Sequence, residues 1–173
     1  MKMADGGFRP AYNIQFATDT KSTAIAGVSV DNIGSDKGKM APVNDLLAEP
    51  YGRRPSQQLV DGGFVKFDDI EALAKTGVET FAPVPKPRDA SQDRYAPHPD
   101  DSPVLAEWRQ RMGGEEAKEI YKQRAASAEC ANAQARHRGL TQFLVRGLEK
   151  VKTSALWYAL AHNMACSWRL IPT

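Results

Sequence analysis

Two groups of side chains in this 173-residue sequence have the types and spacing to do chemistry. The first is Asp61, which closes the short apolar run Leu59-Val60 and is followed at once by Gly62 and Gly63. A carboxylate at the C-terminal end of a buried strand stands where α/β proteins hold ligands. A hard oxygen donor fixed there suits Mg2+, and the two glycines would let another backbone or a nucleic acid approach closely. Asp-Gly is also a common turn pair, so capping the next segment is the competing reading. The second group is Tyr121, Arg124, Glu129 and Arg136, in the stretch "EEAKEIYKQRAASAECANAQARHR". That stretch has no Pro or Gly and is rich in helix formers. At about 100° per residue, Glu129 and Arg136 project roughly 20° apart, with Tyr121 on the same side and Arg124 roughly 140° from Glu129. A lone Glu on a mostly Ala surface can finish a metal site begun by Asp61, and the arginines can hold phosphate oxygens by paired hydrogen bonds. The plainer reading is a solvated helix with ordinary charges.

Other chemistry finds little support. His98, His137 and His162 have no zinc spacing, and Cys130 and Cys166 form no CxxC. Two cysteines build no disulfide framework, which fits a reduced, cytoplasmic setting, and both read as small buried hydrophobes. Neither glycine-rich phosphate-loop motif is present. Trp108, Trp157 and Trp168 read as packing residues. No apolar run reaches the roughly 18 residues of a membrane span, and the start of the chain lacks the apolar core of a signal peptide. The net charge is only +2, but residues 1–108 hold 12 Lys/Arg against 16 Asp/Glu, whereas residues 109–173 hold 11 against 5. A basic C-terminal third suits a polyanion, because Lys and Arg displace condensed counterions from phosphates. A solvated helical surface is the alternative.

The elements that must position these side chains follow from patterning. Residues 1–10 look irregular. Ala11 to Thr18 alternates, with Tyr12, Ile14, Phe16 and Thr18 on one face, and reads as a strand. Ala24 to Val30 reads as its antiparallel partner across "TDTKST". Met40 to Ala48 reads as a short helix stopped by Pro50. Leu59-Val60, a helix begun by Asp68 or Asp69 and ended by Gly77, and Val78 to Phe81 make a strand–helix–strand unit, most simply a right-handed parallel crossover. Residues 82–103 include six prolines and read as an extended surface loop or insertion, not core. A short helix runs from Pro103 to Gly113-Gly114, the long stretch above follows, and Gly139 breaks it. A last amphipathic segment puts Leu148, Val151, Ala155, Ala159 and His162 on one stripe.

Three segments together resemble the C-terminal catalytic region of bacterial insertion-sequence transposases of the DDE type. They are "DGGFRPAYNIQFATDT", "LVDGGFVKFDDIEALAKTGVETFAPVPKPRD" and the stretch from Glu115 to Met164, and they cover almost the whole chain. The most specific part is Y-x2-R-x4-E-x6-R at Tyr121, Arg124, Glu129 and Arg136. Related branches more often have three residues between Arg and Glu, and Lys at the last position. The resemblance implies an α/β fold of ribonuclease-H-like type: a mixed sheet with flanking helices, here with its first strand missing, and a basic helical tail at 114–173. It implies Asp61 and Glu129 as catalytic, metal-ligating acids. It also implies Tyr121, Arg124 and Arg136 as DNA contacts near the cleaved phosphate. The cofactor implied is Mg2+ or Mn2+, two ions in an intact enzyme, and the DNA partners are insertion-sequence ends and target DNA.

The family's first acid belongs on a strand upstream of "AYNIQFATD". Asp19 and Asp5 lie nearby, but neither matches that position. The expectation is therefore a C-terminal fragment or truncated product, catalytically impaired. The alternatives are a metal nuclease whose third acid is Asp19 or comes from a partner chain, and a non-enzymatic DNA-binding or interaction protein. Backbone groups left open beside the first visible strand lead us to expect self-association.

Overall fold

The computed structural model describes residues 7, 11–89 and 91–170. Asp5 and nearly all of the segment read as irregular at the start lie outside the described residues. The described chain divides into two compact units. One comprises Met1–Gly34 with Ala125–Thr173, the other Ser35–Arg124.

The first unit is a hairpin covered by helices. β1 (Asn13–Thr18) pairs antiparallel with β2 (Ile25–Asp31), Phe16 opposite Val28. The turn between them is built by Asp19, and Thr23 takes a left-handed φ of 58°. A π-helical turn (Ala125–Glu129) runs into α5 (Cys130–His137), and α6 spans Leu148–Leu170. The core gathers Ile25, Val28, Val30, Ala131, Val151, Ala155 and Ala159, with Tyr12, Ile14 and Phe16 packed against it. The expected stripe on α6 holds except at its start, since Leu148 is exposed. Asn163 secures α6 to the hairpin. Its Oδ1 accepts from the Ile25 N–H at 2.7 Å and its Nδ2 donates to the Ile25 carbonyl at 2.8 Å.

The second unit contains the parallel crossover. Its elements are α1 (Met40–Tyr51), β3 (Gln57–Leu59), a 3-10 turn (Gly62–Phe64), α2 (Phe67–Lys75), β4 (Glu79–Phe81), α3 (Pro103–Gly113) and α4 (Glu115–Arg124). β3 and β4 pair in parallel, Leu59 beside Phe81, as the strand–helix–strand pattern predicts. Trp108, Met40, Ile70, Leu73, Val78 and Phe81 form the buried centre. Buried Asp69 works between helices, its Oδ2 accepting the Met40 N–H at 3.1 Å and so capping the start of α1. α1 runs through Pro50 and stops at Gly52, whose φ of 61° only glycine adopts freely.

Three expectations about these elements need correction. α1 runs through Pro50 to Tyr51, where a stop at that proline is expected. The four strands form two separate two-stranded sheets, β1–β2 and β3–β4, where a single mixed sheet is expected. Among the described residues no strand pairs with members of both. The Pro-rich segment is not all surface either. Ala82 and Val84 are buried in the core, and Tyr95 packs against it. Arg109 on α3 pins the segment's far end: its Nε meets Asp101 Oδ2 at 2.6 Å and its Nη2 meets Asp101 Oδ1 at 3.2 Å. Proline rigidity and a buried ion pair thus replace regular secondary structure here.

Candidate metal and nucleic-acid site

Asp61 is half-buried just beyond the end of β3 and caps the 3-10 turn. Its Oδ1 accepts the Gly63 N–H at 2.8 Å, while Oδ2 makes no hydrogen bond among the described residues. The turn reading and the ligand reading therefore use different oxygens. The glycines differ in role. A Cβ at Gly62 would meet nothing within 4 Å, so space does not require glycine there. A Cβ at Gly63 would stand 3.1 Å from Asp61 Oδ1 and 4.0 Å from Asp36 Oδ2. Gly63 is bare because a carboxylate closes on its own N–H. Asp36, which also borders that space, carries no signal in the sequence beyond a polar loop.

Glu129 is exposed and ends the π-helical turn with helical φ and ψ of −67° and −37°, leading straight into α5. Arg136, also exposed, follows seven residues later in the same regular helix, so the two share a face as the projection predicts. That projection does not reach back to Tyr121 and Arg124, because five π-helical residues intervene and the wider turn changes the angle per residue. Tyr121 and Arg124 sit on α4 and meet each other, Arg124 Cζ lying 5.6 Å from the centre of the Tyr121 ring. Tyr121 also packs on the core of the second unit. Asp61, Tyr121 and Arg124 thus belong to the second unit, and Glu129 and Arg136 to the first. Among the described residues no group of three or more His, Cys, Asp or Glu side chains forms a metal cluster.

Asp19 is engaged elsewhere. Its Oδ1 accepts from the Ser22 N–H at 2.7 Å, the Ser22 hydroxyl at 2.7 Å and the Lys21 N–H at 3.2 Å. The Ser22 bonds hold its carboxyl below the usual range. The remaining sequence candidates fall out as packing. Cys166 is buried beside His162, Sγ to Nε2 3.3 Å, whereas Cys130 is only half-buried. Trp108 is core, but Trp157 and Trp168 are exposed, against expectation.

A feature not legible in the sequence is a cleft of about 670 Å3 in the Pro-rich segment, lined among others by Lys86, Arg88, Arg94, His98 and Arg109. The carboxylates around it are committed internally: Asp89 to Ser91, Asp93 to the Tyr95 N–H and Asp101 to Arg109. Lys86 and Arg88 are exposed and have no hydrogen-bond or ion-pair partner among the described residues.

Residues 88–166 match the family model of the transposase DDE domain. The match includes Tyr121, Arg124, Glu129 and Arg136 and begins after Asp61. Over this segment the chain is similar to DDE transposases, as the sequence motifs suggest. No characterised protein and no solved structure matches it. Among the described residues no helix is long and apolar enough to cross a membrane.

Proposed function

We propose that this chain carries a DDE transposase catalytic domain of ribonuclease-H-like type, cytoplasmic, that binds DNA. The observation that carries the reading is the transposase match over 88–166, which contains the whole Y-x2-R-x4-E-x6-R signature. Asp61 supports it from the other side. It lies just past a strand of a parallel unit and keeps one carboxylate oxygen uncommitted. The π-helical turn at Ala125–Glu129 adds weight, because such turns are frequent at functional sites.

Asp61 and Glu129 fit a hard divalent cation as oxygen donors, and they are the residues that would hold Mg2+ or Mn2+. Bound in pairs, such ions activate the attacking oxygen and stabilise the leaving one in phosphoryl transfer. The chain's own work is to bind and orient: Arg124 and Arg136 offer planar donors to phosphate oxygens, and Tyr121 steadies Arg124. Asp19 uses only Oδ1 in the hairpin turn, and Asp19→Asn tests the alternative in which it supplies a third acid.

Gel-shift titrations and a magnesium-dependent nicking assay on the same preparation test this. We expect DNA binding without metal, weakening steeply with salt and reduced by Arg124→Gln and Arg136→Gln, and any nicking should need Mg2+ and fall with Asp61→Asn. Absence of binding at low salt, or binding indifferent to both arginines, overturns the DNA reading. Robust nicking abolished by Asp19→Asn favours the nuclease alternative.

A further inference from the structure

α6 has two apolar faces. One is buried through Val151, Ala155, Ala159, His162 and Cys166, and the helix packs on β2. The other is open: Leu156, Trp157, Leu160, Met164 and Trp168 are 47, 66, 50, 62 and 80% exposed. These five recur at helical spacing and fall within an arc of roughly 120°. Between Lys152 and Arg169 the sequence has no Asp, Glu, Lys or Arg. The outward face of a surface helix normally collects such charges, so this face is built to be covered.

We propose that it is a self-association surface, α6 packing against α6 of a second copy of the chain about a two-fold axis. The area fits. A tryptophan offers up to about 250 Å2, so at their exposed fractions Trp157 and Trp168 together present roughly 350 Å2. Leu156, Leu160 and Met164 present a similar amount, for roughly 700 Å2 per copy, close to the ~800 Å2 per partner of a standard stable interface. A two-fold interface uses the same patch twice and so must be self-complementary. Exposed Thr153, Ala161 and Ser167 supply the small positions between the large side chains, the grooves into which a facing helix sets its ridges. This surface is distinct from the open strand edges and does not depend on the DNA or metal reading.

Sedimentation equilibrium of the whole chain, with tryptophan emission followed over the same concentrations, tests the proposal. A monomer–dimer equilibrium is expected. Emission should shift to the blue as dimer forms, because Trp157 and Trp168 leave water while Trp108 is already buried. Paired substitution Trp157→Gln with Leu160→Glu should raise the dissociation constant by about 100-fold, roughly tenfold per central residue. Both positions are exposed, so far-UV dichroism and melting of the dilute protein should stay unchanged. If that pair perturbs folding, Met164→Lys with Trp168→Ser serves the same purpose. A chain that stays monomeric at high concentration overturns the proposal, whether its α6 face is bare or is covered in some longer protein. So does a dimer indifferent to both pairs, as pairing through strand edges would give.

Discussion

Asp101→Asn removes the charge that ties the Pro-rich segment to α3. Asp101 Oδ2 accepts from Arg109 Nε at 2.6 Å and from the His98 N–H at 2.8 Å, and Oδ1 accepts from Arg109 Nη2 at 3.2 Å. The Arg109 and Asp101 side chains are only 13% and 5% exposed. An uncompensated buried charge costs about 3–5 kcal/mol. Asparagine keeps one acceptor, and the guanidinium retains the Phe67 ring at 5.3 Å, so the loss should fall near about 2–3 kcal/mol. For a chain of this size each kcal/mol lowers Tm by roughly 2–4 °C, which makes about 5–10 °C in all. Arg109→Met should cost as much by stranding Asp101, and the double variant should recover at least about 1.5 kcal/mol, because the residues touch. Burial alone would push the Asp101 carboxyl up, but Arg109 and the His98 N–H outweigh it and hold the group below the usual range. The pair's stabilisation is therefore full above the ordinary carboxyl value of about 3.9 and is lost as pH falls through the lower folded value. Circular-dichroism melts, with tryptic cleavage at Arg88 and Arg94, read both effects. Single variants melting within about 1 °C of the parent, with unchanged cleavage, would refute the reasoning.

Asn163→Ala should cost about 1–3 kcal/mol, since both bonds to Ile25 disappear, and amide exchange at Ile25 should accelerate. Gly63→Ala should weaken divalent-ion binding in Mn2+ titrations, because the new Cβ would crowd Asp61 Oδ1 at 3.1 Å. Asp19→Ala should loosen the hairpin turn at neutral pH but matter little in strong acid, because the wild-type carboxyl is depressed and its contribution vanishes as pH falls through that lowered value. Lys86→Gln with Arg88→Gln should flatten the salt dependence of DNA binding by about two in log–log slope, if each neutralises one phosphate.

Alternation and punctuation carried most of the fold. The β1–β2 hairpin, the parallel β3–α2–β4 unit and the stop at Gly139 follow from period-two runs, turn residues and glycine. The interruption at Ala125–Glu129 does not, because every residue there is an ordinary helix former and hydrogen-bond spacing leaves no trace in composition. Nor does the tie between Asp101 and Arg109, whose partners lie in a loop and a helix with many similar charges nearby. Burial of Trp108 but not of Trp157 or Trp168 was equally hidden, since hydropathy is the same for all three and only the tertiary contacts distinguish them.

Capping and metal binding are not rival roles for Asp61. A carboxylate that only capped a turn could rotate its second oxygen freely in solvent. Here the bond from Gly63 N–H to Oδ1 fixes the side chain, and with it the direction in which Oδ2 points. Metal ligands are routinely oriented by such outer hydrogen bonds, and losing the orienting partner typically costs 10- to 100-fold in affinity. The first and third residues of the Asp-Gly-Gly sequence then share one explanation. Asp61 supplies the oxygen, Gly63 supplies the N–H and the room for the carboxylate to reach it, and Gly62 carries the chain between them, its carbonyl accepting the Val65 N–H at 3.3 Å. Asp61→Asn separates the two functions, because the amide oxygen can still cap the turn while the charge that a cation needs is gone.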